Sequence, residues 1–363
     1  MSNNRFLAII LTLVVVSAGL SGCLGDGDDD VLRIAFSIKD DYASFDENPQ
    51  KLADYLSDAT GRQVEIYAIT SDSLALEALR FGGADMAFLD GGAAWMGWQQ
   101  YGLEAMAASL NSDGRPSYSA HAWVLNDSEA GQAATDDDDT TDPFETLAGS
   151  ITCHTGWLKS AGMLIPMGYF IGEGYAEVVG DEEDIESLRS TIFNHFSPDA
   201  VIPESGTLYY GYGGALRCLS EGEGAVAFAK DSSLETYCPE DGERATWCLD
   251  PSRYVALPAF GQAPSHPLMY QPNSVDDGTR DLIVEALLAL NTTEDGQSIL
   301  DNVLNTPGIV KVTTAEHLGS YGSLIEHVPG INAYLDDKYS TESWRWRKFS
   351  SIFTMSASGT TSP

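Results

Sequence analysis

The run Cys153-His154-Thr155-Gly156-Trp157-Leu158-Lys159-Ser160-Ala161-Gly162-Met163-Leu164-Ile165-Pro166 carries the densest chemistry in this chain. Its order reads as a strand end, a polar turn containing Gly156, and a helix start. Such a turn presents free backbone N–H groups and the Thr155 hydroxyl to a small anion. Lys159 adds a positive charge beside them. A second chemical position is Asp90, followed by Gly91-Gly92. It lies just past the strand-like run from Gly83 to Leu89, at the end where α/β sheets place ligands.

These positions need a framework of alternating elements. Val31 to Phe36 reads as a strand, and Pro49 to Thr60 as a helix with Leu52, Tyr55 and Leu56 on one face, ended near Gly61. Val64 to Ala68 is the next strand and Ser71 to Phe81 the next helix. This alternation predicts an α/β fold with a mostly parallel sheet. Further on, Tyr118 to Leu125 and Gly224 to Phe228 read as strands. Asp181 to Phe193, Gly211 to Leu219, Thr279 to Leu290 and Gly296 to Leu304 read as helices. The polar insert holding Asp136 to Asp139 reads as a solvated loop, because it lacks the glycine and terminal Glu of a calcium loop. About 310 folded residues imply two domains.

Net charge is −35, from 54 acidic against 19 basic residues. That excludes nucleic acid as a partner, since the phosphate backbone needs a basic surface. Arg5 precedes an apolar run from Phe6 to Leu20, short for a bilayer span and suited to a signal peptide. The run ends in Leu20-Ser21-Gly22-Cys23, which resembles a lipoprotein signal-peptidase site. The expectation is a lipidated Cys23, an acidic tether to residue 30, and a protein held on the outer face of the cytoplasmic membrane. Four cysteines remain: Cys153, Cys218, Cys238 and Cys248. An even number in an exported chain suggests two disulfides, with three possible pairings. Short spacing favours a local Cys238–Cys248 bridge, and Cys153 with Cys218 would then staple the anion segment to a Tyr-rich segment. A four-thiolate metal site competes, though the paired two-residue gaps typical of zinc are missing.

Six segments, in order over roughly residues 80 to 330, resemble a transferrin lobe. Ala84 to Gly92 is similar to the family segment carrying the iron-binding Asp, which falls on Asp90. Tyr118-Ser119-Ala120-His121-Ala122-Trp123-Val124 resembles the hinge strand whose first Tyr is a ligand. Tyr210 to Leu219 resembles the second Tyr segment, and counting back from its Cys gives Tyr212; Gly224 to Phe228 continues it. Gln262-Ala263-Pro264-Ser265-His266 resembles the second hinge segment, with the His ligand at His266. The anion segment supplies Thr155, Lys159 and the N–H groups of Ala161 and Gly162. The family disulfide would pair Cys153 with Cys218. His154, His121 and His195 are assigned to structure. Lys159 stands where the family usually has Arg, and a lysine cannot make the planar two-pronged contact to carbonate.

The resemblance implies a two-domain periplasmic-binding-protein type II fold with a cleft between two α/β domains. The division expected is a signal peptide 1–23, a tether 24–30, a first domain 31–117 plus 267–335, a second domain 118–266, and a C-terminal tail 336–363. Ferric iron is a hard cation that prefers charged oxygen. Two phenolates, one carboxylate and one imidazole would leave two octahedral positions for a bidentate carbonate. A single lipid-tethered lobe matches a monomeric solute-binding protein that hands iron to the permease of an ABC importer. The alternative is a phosphate- or phosphonate-type importer component, because the N-terminal half resembles phosphonate-binding proteins of the same superfamily. Thr155, Ser160 and Lys159 would then bind the oxyanion. Enzyme activity is not expected: a metal-dependent hydrolase needs an open position and an adjacent base, and no such constellation stands out. A sensor role without transport is the remaining reading.

Overall fold

The computed structural model describes residues 31–37, 48–136 and 140–340. The lipidation position Cys23, the signal peptide and the tether lie outside them, as do residues 137–139 of the acidic run.

The chain enters through β1 (Val31–Ser37), α1 (Gln50–Thr60), β2 (Gln63–Ile69), α2 (Asp72–Phe81), β3 (Met86–Phe88), α3 (Gly91–Tyr101) and β4 (Glu104–Ser109). It then crosses into β5 (Ser117–Leu125), α4 (Glu129–Ala133), β6 (Thr152–Cys153), α5 (Ile165–Gly172), α6 (Ser187–His195), α7 (Gly211–Ser220), β7 (Val226–Lys230), α8 (Ser233–Tyr237), β8 (Tyr254–Ala256) and β9 (Gly261–Pro264). It returns through β10 (Pro267–Tyr270), α9 (Asp277–Ala289), α10 (Glu294–Ile299), β11 (Ile309–Lys311), α11 (Thr314–Ile325) and α12 (Ile331–Tyr339).

Two mixed sheets result. The first has the order β11-β4-β10-β3-β1-β2; the second has the order β6-β7-β5-β8, with β9 also paired to β5. The mostly parallel sheet expected from the alternation is corrected here. β1 and β3 are parallel, with Ile34 opposite Met86, but β10 is antiparallel to both β3 and β4. In the second sheet only the β6–β7 pairing is parallel. The cause is the double crossing. A strand that returns from the other lobe enters its sheet in the opposite direction to those built by local βαβ units.

The largest apolar cluster joins both lobes. It runs from Leu79 and Trp95 in the first to Phe170 and Phe228 in the second, with Leu318, Tyr321 and Ile325 of α11 between them. A second cluster, including Leu52, Leu56, Ile283 and Leu287, packs the first sheet against α1 and α9. A third surrounds the Cys153–Cys218 disulfide. Cys238 pairs with Cys248, so no thiolate is left for a four-cysteine metal site.

Three readings of the chain change. The helix expected from Asp181 begins only at Ser187; the acidic stretch before it forms side-chain-to-backbone turns at Asp181 and Asp184 instead. α3 and β4 follow Asp90 where no element was expected. The tail expected from residue 336 is also wrong at its start. α12 continues to Tyr339, and Ile331, Leu335 and Tyr339 form one buried face at four-residue spacing.

Candidate functional site

The two connections between the sheets lie side by side. Ser265 N donates to Pro116 O (2.9 Å), and Ser109 N donates to His266 O (3.1 Å). Tyr118, the second residue of β5, therefore lies opposite Ala263 of β9, three residues before His266. Strand pairing alone brings these two distant parts of the chain to one place.

Beside the crossing lies a cavity of about 380 Å³. Asp90, Tyr118, Lys159 and His266 all line it, together with Asn111, Ser160, Ser265, Tyr321, Lys338 and Tyr339. Asp90 gets there as the N-cap of α3, accepting from Ala93 N (2.7 Å). Tyr212, in the first turn of α7, does not line the cavity but lies close enough to Tyr118 to influence its phenol. His266 is the outlier of the set. Its ring is exposed, and it also borders a neighbouring groove on the first lobe.

Burial is the main cause that raises the phenols of Tyr118 and Tyr212. For Tyr118 the neighbouring Tyr212 works against that rise, while the charge of Asp90 adds to it. For Tyr212 the neighbouring Tyr118 adds to the rise. Both phenols are protonated at neutral pH, and only a strongly charged cation would hold them as phenolates.

The anion turn sits at the cavity wall. Gly156 (φ +134°) and Leu158 (φ +56°) reverse the chain. Lys159 then caps a wide helical turn, Ser160 to Leu164, that runs on into α5. Its first closing bond is Leu164 N to Lys159 O (3.0 Å). The N–H groups of Ala161 and Gly162 belong to the opening of that turn, before helical bonding is established. Thr155 is buried beneath it, with no hydrogen-bond partner for Oγ1. It packs so tightly on Gly162 that a Cβ there would overlap the hydroxyl. His154 is fully buried, Nδ1 against Gly162 O (2.8 Å) and Nε2 against Thr152 Oγ1 (3.0 Å). Burial pulls its pKa down to about 4, so it is a neutral strut under the turn.

Three lysines face this region in a strongly acidic chain. Lys159 Nζ lies 5.6 Å over the Tyr210 ring, Lys230 Nζ lies 5.4 Å over the Tyr212 ring, and Lys338 Nζ stands 3.9 Å from Asp90 Oδ2. Cavity members that sequence reasoning missed are Asn111, Ser265, Tyr321, Lys338 and Tyr339. Asn111 Nδ2 and Ser265 Oγ are buried without a partner. No local pattern marks them, whereas the four-residue spacing ending at Tyr339 was a usable signal. Among the described residues, no three His, Cys, Asp or Glu are grouped to hold a metal. A site of two phenols, one carboxylate and one imidazole contains only two such groups.

Residues 39–318 match the family described as "ABC transporter, phosphonate, periplasmic substrate-binding protein". Among curated proteins, serotransferrin-1 of Salmo salar is 32% identical over 196 residues, 47% of this chain and 26% of the relative. Ovotransferrin of Gallus gallus is 31% identical over 202 residues, 49% of this chain and 27% of the relative. The alignments thus span about a quarter of these relatives' length. Among solved structures, XAC2383 of Xanthomonas citri bound to chloride ion superposes with a TM-score of 0.51 at 16% identity, covering 84% of this chain and 99% of that one. That likeness shows the fold. No described helix is long and apolar enough to cross a membrane.

Proposed function

The chain belongs to the periplasmic phosphonate-type substrate-binding family of ABC transporters, and from that premise we propose that it binds ferric iron with a small oxyanion in the cleft and delivers both to a membrane permease. The observation that carries this reading is that Asp90 and Tyr118 line one cavity, with Tyr212 close enough behind Tyr118 for each phenol to act on the other. An oxyanion site alone has no use for a phenol beside a carboxylate with a second phenol close behind it. Ferric iron does, because charged oxygens are its preferred ligands.

Asp90, Tyr118, Tyr212 and His266 would supply the metal. Thr155, Lys159 and the N–H groups of Ala161 and Gly162 would hold the anion in the two remaining positions. The exposed His266 ring suits a ligand that swings in as the lobes close about the paired crossings near Tyr118 and His266. A lipid on Cys23 would keep the lobe beside its permease, and a monomer suffices for this role. No step of this cycle requires bond chemistry on the cargo.

A second reading has its own observation in support. Thr155 Oγ1, Ser265 Oγ and Asn111 Nδ2 are buried without partners near the same turn, which is costly unless a ligand satisfies them. Phosphate or a phosphonate would do so without a metal, and family membership supports it.

The deciding experiment is a titration of the purified protein with ferric nitrilotriacetate in bicarbonate buffer, followed by visible spectroscopy. A phenolate-to-iron charge-transfer band that is lost in Tyr118→Phe and Tyr212→Phe is expected. Absence of the band, with phosphate or methylphosphonate binding by calorimetry in metal-free buffer, would replace the iron reading with the oxyanion one.

A further inference from the structure

Asp90 is already engaged from the far end of the chain. Tyr339 Oη donates to both carboxylate oxygens, at 2.7 Å to Oδ1 and 2.8 Å to Oδ2. Lys338 Nζ donates to the same phenol oxygen (2.7 Å) and stands 3.9 Å from Asp90 Oδ2. Oδ1 also accepts from Ala93 N. Both carboxylate oxygens therefore already accept hydrogen bonds. The fit is close on the opposite side as well, since a Cβ on Gly92 would stand 2.9 Å from Tyr339 Oη.

A cation can use a carboxylate oxygen only through a lone pair not already committed to a donor. We propose that α12 is a latch, in which Tyr339 and Lys338 occupy Asp90 in the unloaded lobe and must let go before Asp90 can coordinate cargo. The latch rests on the metal reading for its purpose but not for its existence. It gives the cleft an energetic threshold: cargo that cannot compete for Asp90 leaves the lobe latched. Lys338 makes the latch cationic, so an arriving trivalent ion repels it as well as displacing it. The partial exposure of both ends, 35% for the Asp90 side chain and 45% for that of Lys338, leaves a way for solvent to replace the released contact.

Two measurements on the full chain test this, and the first needs no metal. Amide hydrogen exchange across Ile331–Tyr339 should be faster in Asp90→Ala than in the wild type; equal rates would overturn the latch. In the second, Tyr339→Phe is titrated with ferric nitrilotriacetate in bicarbonate beside the wild type and Tyr118→Phe. Loss of a charge-assisted hydrogen bond to Asp90 should tighten binding about tenfold with an undiminished band. Weaker binding with a reduced band would make Tyr339 a ligand and overturn the proposal, as would unchanged affinity. If the wild type shows no band at all, the iron reading fails by itself, and the exchange measurement alone decides the latch.

Discussion

The phenols of Tyr118 and Tyr212 each act on the other's proton affinity although one lies on β5 and the other on α7. Two half-buried phenols that act on one another form a low-polarity pair while protonated and a repelling pair if both ionise. A metal ion that binds between them must expel both protons.

Iron loading at pH 7 should therefore release two protons from the phenols. A pH-stat titration reads this directly. Tyr118→Phe should release one fewer proton per iron bound. Because both phenols are raised above their ordinary value, the affinity should fall about a hundredfold for each pH unit of acidification from this source alone. A smaller slope would remove one phenol from the ligand set.

The parts of this site that were legible in the sequence share one property. Asp90 and the Thr155–Gly162 turn are strand-end and helix-start chemistry, written over a few consecutive residues. The crossings at Tyr118 and His266 were legible only through their resemblance to a transferrin lobe. The spacing Ile331–Leu335–Tyr339 could have marked Tyr339 as part of a helix face, but not as a partner of Asp90, which is 249 positions away. The mixed sheet was misread for a related reason: β10 pairs with β3 and β4 only after a long excursion through the other lobe. Alternation of strand and helix describes local units and says little about strands that come back.

Gly162→Ala should disable the anion turn. The new methyl would overlap the Thr155 hydroxyl, and overpacking of this kind costs about 1–3 kcal/mol. Urea denaturation checks the stability loss. The double variant Thr155→Ala with Gly162→Ala should recover most of the stability, but bicarbonate should still fail to strengthen iron binding.

Acid should weaken the fold through His154. Its folded pKa, about 4, lies below the ordinary value of 6.5. Between those values the unfolded chain binds a proton that the folded chain refuses. Stability is therefore fully present above pH 6.5 and is lost as the pH falls toward 4, by on the order of 3 kcal/mol from this group. Denaturation midpoints at pH 7.0 and 4.5 give the measurement. In His154→Gln the difference between them should shrink, since the amide takes up no proton.

Lys159 should set how well the anion is held. Its Nζ lies 5.6 Å over the Tyr210 ring, and its ammonium draws that phenol below its ordinary pKa. Lys159→Gln should weaken the bicarbonate dependence of iron binding about tenfold, a typical effect of one charge-assisted contact. Lys159→Arg should strengthen it instead, because a guanidinium forms two parallel bonds to a carbonate edge. Bicarbonate titrations at fixed iron would read both.

The two disulfides should separate stability from function. Cys153–Cys218 joins the strand before the anion turn to the helix carrying Tyr212 and spans a sequence separation of 65; Cys238–Cys248 spans 10. Loop-closure entropy gives about 4 kcal/mol for the first and about 3 kcal/mol for the second. Replacing either pair with alanine should therefore lower the denaturation midpoint by similar amounts. Only loss of Cys153–Cys218 should also weaken the charge-transfer band at equal iron, because α7 is then free to carry Tyr212 away from Tyr118. Equal effects on the band from both pairs would mean that the disulfide stabilises the lobe without positioning its ligands.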